Sequence, residues 1–452
     1  MEIVKEETRE NKMGVMPVNK LLLTMSIPMV ISMMIQALYN VVDSIFVARI
    51  NENALTAVSL VFPVQSIMIA VSTGTCVGVN AILSKRLGEK RLEEADKTAN
   101  IAVLLSILSY GVFLIIGLFC SEFFFSVQTG EAQIIAYGAS YMRIVCCCSF
   151  GLFLQVCFER LLQSTGRTFY TMLMQGTGAI INIILDPIMI FGYLGFPKMG
   201  IAGAAVATVT GQIIAMLLGL FFNRKVNHEI HLSIRKMVFD REIIKEIYKI
   251  GVPAILMQSI GSVMVFLMNK ILLGFTSTAT AVFGIYFKLQ SFVFMPIFGL
   301  SNGLVPIVAY NYGAKNRDRM IKAVKYSMFY AIGFMCLGML LAECVPGSLL
   351  LMFDASESML AIGIPAIRIL CTCFVLAGFN IIASSLFQAV GDSIYSLVMS
   401  AIRQLIVLLP AAYLLSLTGN LDAVWLSFPI AEIAALIVSS ALLKKVLKKL
   451  NF

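Results

Sequence analysis

Charged side chains are scarce in this sequence, and histidine and tryptophan are scarcer still. Asp, Glu, Lys and Arg account for 13% of the 452 residues and hydrophobic residues for 59%, whereas a soluble globular chain carries roughly 25% charged residues. A soluble domain cannot bury that much apolar surface, but a lipid bilayer can accommodate it. The composition therefore excludes an ordinary soluble protein and indicates an integral membrane protein.

The sequence also lacks short motifs that are typical of enzyme and metal sites. It has no H-E-x-x-H zinc motif and no G-x-x-x-x-G-K phosphate-binding loop. Its two histidines, His228 and His231, lie in a central polar segment. The ten cysteines fall mainly in apolar stretches, and their spacing is typical of neither a disulfide framework nor a metal site. We therefore expect no enzymatic activity, no ATP hydrolysis by the chain itself and no cofactor.

Long apolar stretches take up most of the chain. Residues 54–84, 98–121 and 199–223 contain no charged side chain, and each exceeds the ~20 residues that cross the hydrocarbon core as a helix. Nine other stretches are nearly as free of charge. The strands of a membrane β-barrel would instead alternate apolar and polar residues over segments of ~10 residues. The sequence therefore predicts an all-α integral membrane protein with twelve transmembrane helices.

The net charge of +9 is explained by membrane topology rather than by nucleic-acid binding. If the amino terminus is cytoplasmic, 27 of the 34 Lys and Arg residues lie in cytoplasmic segments, and only Arg49 and Lys198 lie in outside loops. Positive charge is retained on the cytoplasmic side during insertion. We therefore expect a multi-pass protein of a bacterial cytoplasmic membrane, in contact with the lipid bilayer, with both termini in the cytoplasm and no nucleic-acid partner.

The two halves of the chain are related by one constant shift in residue number, which takes Pro28 to Pro253. The shift pairs glycines and prolines, which have specific backbone roles, so chance agreement is a poor explanation. Besides the two prolines, the paired positions are Gly74 and Gly299, Gly78 and Gly303, Gly88 and Gly313, and Gly166 and Gly391. Each half holds six predicted spans, so both halves insert the same way up and are related by an axis along the membrane normal.

This repeat predicts the organisation of the chain. A cytoplasmic amino-terminal segment at 1–20 precedes an amino lobe at 21–222. A polar and basic cytoplasmic linker at 223–249 joins it to a carboxyl lobe at 250–443, and a basic cytoplasmic tail at 444–452 ends the chain. In transporters built from such repeats the substrate cavity opens between the halves.

Two carboxylates lie well inside predicted spans, where one charged side chain costs roughly 2.5–3.5 kcal/mol. Asp43 follows Tyr39 by one helical turn, and Asp186 follows Asn182 in the same way, so each pair shares a helix face. The shift between the halves brings no carboxylate to either equivalent position. We predict that the two aspartates bind and release H⁺ or Na⁺. The alternative is that they only hydrogen-bond neighbouring helices together.

Four further polar residues within the spans are candidates for the lining of a substrate cavity. They are Lys270, Lys288, Gln65 and Gln290. The two lysines have an alternative role, which is to extend along the helix toward the membrane interface.

Four more ionisable residues call for an interpretation. Arg143 and Arg368 are repeat equivalents, which favours a shared structural role. Glu432 is isolated within the last span, and Glu159 is expected to be solvated at a cytoplasmic helix end.

Three strings of residues carry a family resemblance. They are I-P at 27–28 with Y-N-V-V-D at 39–43, N-I-I-L-D-P at 182–187, and G-I-A-G-A-A-V-A-T at 200–208. Together with the twelve spans and the repeat, they resemble the first, fifth and sixth helices of the multidrug and toxic compound extrusion (MATE) family. The resemblance implies export of drugs or other small, often cationic, organic compounds in exchange for H⁺ or Na⁺, by alternating access between two lobes.

The resemblance also implies roles for individual residues. Asp43, Asn182, Asp186 and Thr208 would form a cation site in the amino lobe, with Tyr39 beside it and with Na⁺ as the one metal ion expected. Pro28 would mark the point at which the first helix bends when the site changes occupancy, since a proline removes one helical hydrogen bond.

The sequence departs from the NorM-type branch of that family, which carries acidic residues in the seventh and tenth helices. In those spans this chain has Lys270 and Arg368 instead, which favours the DinF- or MepA-type branch and predicts no cation site in the carboxyl lobe. The alternative function is that of a flippase for lipid-linked sugar precursors, which shares the two-lobe plan. Polyanionic headgroups would require several arginines in the cavity, and the spans hold few cations. We expect the chain to act as a monomer.

Overall fold

The computed structural model describes residues 11–353 and 355–450, and in this part of the chain every regular element is a helix. Ten helical segments of the described chain are long and apolar enough to cross a membrane, and two bent helix pairs complete the count of twelve. The fold class predicted above, an all-α membrane protein with twelve spans, is therefore confirmed.

We number the spans α1 to α12. Their bounds are α1 Val18–Ala48, α2 Glu52–Gly88, α3 Leu92–Phe119, α4 Ala132–Cys147 with Phe150–Ser164, α5 Thr168–Phe191, α6 Ile201–Lys225, α7 Arg241–Leu273, α8 Ser277–Gly313, α9 Arg317–Cys344, α10 Glu357–Cys371 with Phe374–Ala389, α11 Ser393–Ala401 with Ile402–Leu408 and Leu409–Ser416, and α12 Leu421–Trp425 with Ser427–Lys449. Short helices at Lys12–Val15, Ser121–Gln128 and Pro346–Leu351 lie between or before them.

The fourth and tenth spans are bent, by 43° and 46°. In α4 the Ser149 hydroxyl donates a hydrogen bond to the Cys146 carbonyl at 2.8 Å, and in α10 the Thr372 hydroxyl donates one to the Ile369 carbonyl at 2.6 Å. Hydroxyl groups that bond to carbonyls of the preceding turn compete with the helical ladder and bend the helix. The sequence predicted two unbroken spans here, because hydropathy does not record this competition.

The two lobes, α1–α6 and α7–α12, meet through α1 and α2 on one side and α7 and α8 on the other. Their closest approach lies toward the linker side, which we define as the end of the bundle that holds the linker, the helix Lys12–Val15 and the end of α12. A Cβ atom at Gly78 would overlap the carbonyl oxygen of Ile247 on α7, and one at Gly303 would lie 2.5 Å from the Ser26 hydroxyl on α1. These glycines are repeat equivalents, so the duplication supplies both halves of the contact.

Polar side chains also join the lobes on the linker side. Arg86 on α2 pairs with Glu246 on α7 at 2.9 Å. Arg160 on α4 donates to the Asn302 side chain on α8 at 3.0 Å. Arg160 is 5% exposed, so its bond connects the lobes in a region of low dielectric, where it is stronger than on a wet surface. The partner of Arg86, Glu246, is 53% exposed, so that pair lies at the surface.

One expectation about this region is wrong. Glu159 is buried rather than solvated, with 4% of its surface exposed. Its carboxylate accepts hydrogen bonds from Gln163 at 2.8 Å and from Gln175 at 3.3 Å. The helix end that carries it faces the other helices of the amino lobe, which a linear charge pattern cannot reveal.

Five residues of α8 match a hydrolase sequence signature. Residues 299–303 read G-L-S-N-G, the G-x-S-x-G pattern that in hydrolases marks a sharp turn between a strand and a helix. Here the string lies in the middle of a continuous helix, and its two glycines pack against Val30 and Ser26 of α1. The local structure is thus a helix–helix contact and not a nucleophile turn.

We expect Gly78→Ala to destabilise the packed linker side by about 1–3 kcal/mol, because the added methyl group overlaps α7 backbone that cannot rotate away. The distance between the lobes is measured with spin labels at positions 19 and 330. These two positions face each other across the lobes, because the Tyr330 hydroxyl donates to Asn19 at 2.7 Å. The label-to-label distance should lengthen in the variant.

Gly111→Ala is the matched control, because a Cβ atom at Gly111 meets no atom within 4 Å. If Gly78→Ala leaves the distance distribution as it is in the control, glycine packing does not hold the lobes together.

Candidate functional site

The candidate site residues of the amino lobe lie on three helices that pack against one another. Tyr39 and Asp43 lie on α1, Asn182 and Asp186 on α5, and Thr208 on α6. Glycines bring these helices together: a Cβ atom at Gly211 of α6 would lie 2.7 Å from the Gly178 carbonyl oxygen of α5 and 3.2 Å from the Asn182 Cβ. Small residues allow membrane helices to approach this closely, so the glycines place Thr208 beside Asn182.

Asp186 is completely buried, and neither of its carboxylate oxygens has a hydrogen-bond partner among the described residues. Asn182 donates a hydrogen bond to the Thr208 hydroxyl at 3.3 Å, but its own side-chain oxygen has no partner in the described chain. One oxygen of Asp43 is also buried and without a partner there. Four side-chain oxygens with unused acceptor capacity therefore lie on α1 and α5 at this site.

Burial of unpaired acceptors is costly, because each has lost its bonds to water without replacement. The carboxylates of Asp43 and Asp186 lie close enough for their charges to interact, and the hydroxyl of Tyr39 lies within range of both. Like charges in a low dielectric repel, and a proton or a hard cation with oxygen ligands relieves that repulsion. The arrangement can therefore hold one positive charge.

The alternative that these aspartates are structural hydrogen-bonding groups has no support in the geometry of Asp186. A residue that joins helices would use its oxygens in bonds to them, and in the part of the chain that the structure describes Asp186 makes none.

Sequence reasoning missed one residue of this site, Tyr141 on α4. Tyr141 is buried, accepts a hydrogen bond from Gln65 at 3.4 Å, and lies within electrostatic range of Asp43 and Asp186. A signal was available, because the repeat equivalent of Tyr141 is Ala366. The two aspartates were found because charged residues are costly inside spans, and they also have no counterpart in the other half. This second criterion applied to tyrosine would have found Tyr141.

The structure separates the four residues predicted to line a substrate cavity. Gln290 lines a cavity in the carboxyl lobe, whereas Gln65 lies beside Tyr141 in the amino lobe. Lys270 and Lys288 are exposed, and their ammonium groups lie over the rings of Phe266 at 5.2 Å and of Phe353 at 5.8 Å. Neither lysine is among the residues that line this cavity.

The remaining ionisable residues of the spans have acidic or basic partners. Arg143 pairs with Glu122 at 2.9 Å, and Arg368 lies 3.9 Å from Glu343. Glu432 is not isolated, as the sequence suggested, because Arg403 lies 3.0 Å from it. The partner comes from α11, so no pattern within α12 could have predicted it.

Comparison with known proteins identifies the family. The MatE family model matches residues 28–188 and again residues 253–414. The chain belongs to the MatE family. The two matched segments of this MATE chain begin at Pro28 and at Pro253, the pair of prolines that the shift between the halves relates in the sequence.

Individual relatives agree with this assignment. The chain is 25% identical over 418 residues to the multidrug export protein MepA of Staphylococcus aureus, covering 92% of this chain and 91% of that one. It is 26% identical over 415 residues to MepA of Staphylococcus haemolyticus, covering 91% and 90%. The resemblance to the DinF- or MepA-type branch of the MATE family is confirmed.

A solved structure described as the outward-facing conformation of a multidrug resistance MATE family transporter of the MOP superfamily superposes with a TM-score of 0.92 at 25% identity. The match covers 98% of this chain and 99% of that one. The two-lobe, twelve-helix architecture is thus the MATE architecture.

Proposed function

We propose that this MATE protein exports small organic molecules across the cytoplasmic membrane in exchange for H⁺ or Na⁺. The names of its relatives support multidrug export as the class of transport. The observation that carries the coupling is the buried carboxylate of Asp186, which is without a hydrogen-bond partner in the described chain and within electrostatic range of Asp43.

In this proposal Asp43 and Asp186 share one cation. Asn182 and Thr208 complete the site as neutral oxygen donors on α5 and α6, and Tyr39 adjoins it on α1. Binding of the cation removes the repulsion between the carboxylates and lets α1 and α5 approach. Release of the cation restores the repulsion and favours their separation.

The first helix connects this site to the contact between the lobes. Pro28 lies inside α1, fifteen residues before Asp43 in the sequence and so roughly 22 Å away along the helix axis. It has no N–H to donate, so the helix bends more easily there. Ser26 and Val30, on either side of Pro28, pack against Gly303 and Gly299 of α8. A bend at Pro28 therefore changes the surface on which the carboxyl lobe rests.

The membrane orientation is part of the proposal. Because Lys and Arg are concentrated on the linker side, that side is assigned to the cytoplasm. The polar and glycine contacts between the lobes described above then close the cytoplasmic side, as expected of a conformation open to the outside. The outward-facing state named for the solved MATE structure agrees with this assignment.

The coupling is tested with Asp186→Asn, which keeps the side-chain volume and removes the negative charge. Inside-out vesicles receive a proton gradient or a sodium gradient separately, and uptake of a fluorescent organic cation is measured. We expect gradient-driven uptake to fall by at least about tenfold under the coupling ion, the order of magnitude of a lost charge interaction of ~1.4 kcal/mol. The gradient that drives uptake in the unmodified protein identifies the ion.

Asp422→Asn is the matched control, because Asp422 is an exposed aspartate at the start of α12. It should transport like the unmodified protein. Full gradient-driven uptake by Asp186→Asn at equal membrane expression would rule out the proposed role of Asp186.

The orientation is tested by labelling single cysteines, placed in a cysteine-free background, with a reagent that does not cross the membrane. We expect a cysteine at position 130, in the loop between α3 and α4, to be labelled in intact cells. A cysteine at position 235, in the linker, should react only after the membrane is opened. Labelling at 235 in intact cells would reverse the proposed topology.

A further inference from the structure

The carboxyl lobe contains a cavity of about 320 Å³ within its own bundle, lined by helices α7, α8, α10, α11 and α12. Much of its wall is aromatic, with Phe294, Phe298 and Phe428 among the lining residues. Polar groups that line it include Gln290, Arg403 and Glu432. An apolar cavity with a few convergent polar groups is the usual form of a site for a small organic ligand.

Both carboxylate oxygens of Glu432 have protein partners at this cavity. One carboxylate oxygen accepts from Arg403 at 3.0 Å and the other accepts from Asn380 at 2.8 Å. Ser439 in turn donates to Asn380 at 2.8 Å, which fixes the amide. The side chain of Glu432 is 12% exposed, and its negative charge is already paired with Arg403.

Arg403 has N–H donors that no described residue uses. A guanidinium has five N–H donors, and among the described residues Glu432 is the single hydrogen-bond partner of this one. The Arg403 side chain is 25% exposed, about twice as much as that of Glu432. It lies in the π-helical segment Ile402–Leu408 of α11, and π-helical turns of this kind are frequent at functional sites.

The repeat relates part of the cavity wall to residues of the amino lobe. The shift that pairs Pro28 with Pro253 also relates Tyr39 and Gln65 to two residues of the cavity wall, Met264 and Gln290. The repeat equivalents of Asp43 and Asp186 themselves, Met268 and Ala411, are not among the lining residues, so the cavity overlaps the repeat position of the amino-lobe site only in part. Among the described residues the amino-lobe carboxylates have no basic partner, whereas in the carboxyl lobe Glu432 has Arg403 at 3.0 Å.

From this contrast we infer that the carboxyl-lobe cavity is a substrate site for aromatic organic molecules that carry a carboxylate, and that Arg403 binds the carboxylate. This inference rests on the proposed function, in that the ligand is a transported organic molecule. The aromatic wall packs against the body of the ligand, and the free N–H groups of Arg403 form charge-assisted hydrogen bonds with its acid group.

The pairing of Glu432 with Arg403 explains why this cavity binds an acid in preference to a base. A cationic ligand would be repelled by the guanidinium of Arg403 and would have to compete with it for Glu432. A carboxylate joins Arg403 without breaking either bond of Glu432. Glu432 thus positions the guanidinium, and Arg403 determines the specificity.

The test is equilibrium binding to the purified full chain in lipid nanodiscs, without any ion gradient. The two probes are an aminoxanthene dye with a free benzoate group and the methyl ester of the same dye, which differ in the acid alone. The variant is the double substitution Arg403→Gln with Glu432→Gln, which removes the ion pair together and leaves no unpaired buried charge. We expect the benzoate dye to bind about tenfold or more weakly to this variant, the loss expected of one charge-assisted hydrogen bond, and the ester to bind as before.

Arg368→Gln is the control, because it removes an arginine of the same lobe that pairs with Glu343 outside the cavity. Arg403→Lys adds a second measurement, since it keeps the charge and should retain part of the preference for the acid. Equal loss of both dyes in the double variant, or no loss of either, would overturn the inference. So would equal binding of acid and ester to the unmodified protein. Because no gradient is applied, these results are independent of the Asp186→Asn transport result, which decides the coupling proposal.

Discussion

Hydrocarbon offers no hydrogen bonds, so a charged group within the membrane must be neutralised by the protein or by an ion that the protein binds. This chain uses both solutions, one in each lobe. In the carboxyl lobe Arg403 pairs with Glu432 at 3.0 Å. In the amino lobe no described cation pairs with Asp186, and its oxygens have no hydrogen-bond partner in the described chain. The first arrangement needs no ion, whereas we propose that the second binds one, which is why we assign coupling to the amino lobe.

The contact between the lobes depends on close packing at glycines that the duplication preserved. Glycines at equivalent positions, Gly78 and Gly303, let each lobe lay one helix on the backbone of the other. Dispersion forces and close backbone packing hold membrane helices together where there is no hydrophobic driving force. The glycine part of the contact depends on shape more than on charge, whereas the bonds of Arg86 to Glu246 and of Arg160 to Asn302 must break when the lobes separate. Glycine packing suits an interface that opens and closes during transport.

Pro28 lies on α1, the helix that both carries Asp43 and contacts the carboxyl lobe. The segment of α1 around it rests on α8 of the other lobe, while Asp43 lies farther along the same helix. A change of charge at Asp43 and a change of packing at Ser26 or Val30 are thus events on one helix that contains a weak point. In the coupling that we propose, this continuity is the physical basis on which ion binding in one lobe affects the position of the other.

The sequence by itself determined the twelve spans, the repeat and the identity of the two exceptional aspartates, because membrane insertion depends on local apolar length and charge. It could not reveal the bends in α4 and α10, the burial of Glu159, or the position of Lys270 and Lys288 outside the cavity lining. Each of these depends on which neighbour a side chain meets. The pairing of Glu432 with Arg403 is the clearest case, since the two residues lie on different helices and only the packing of α11 against α12 brings them together. Tertiary structure therefore decided which buried charges are matched by the protein and which are left for an ion or a ligand.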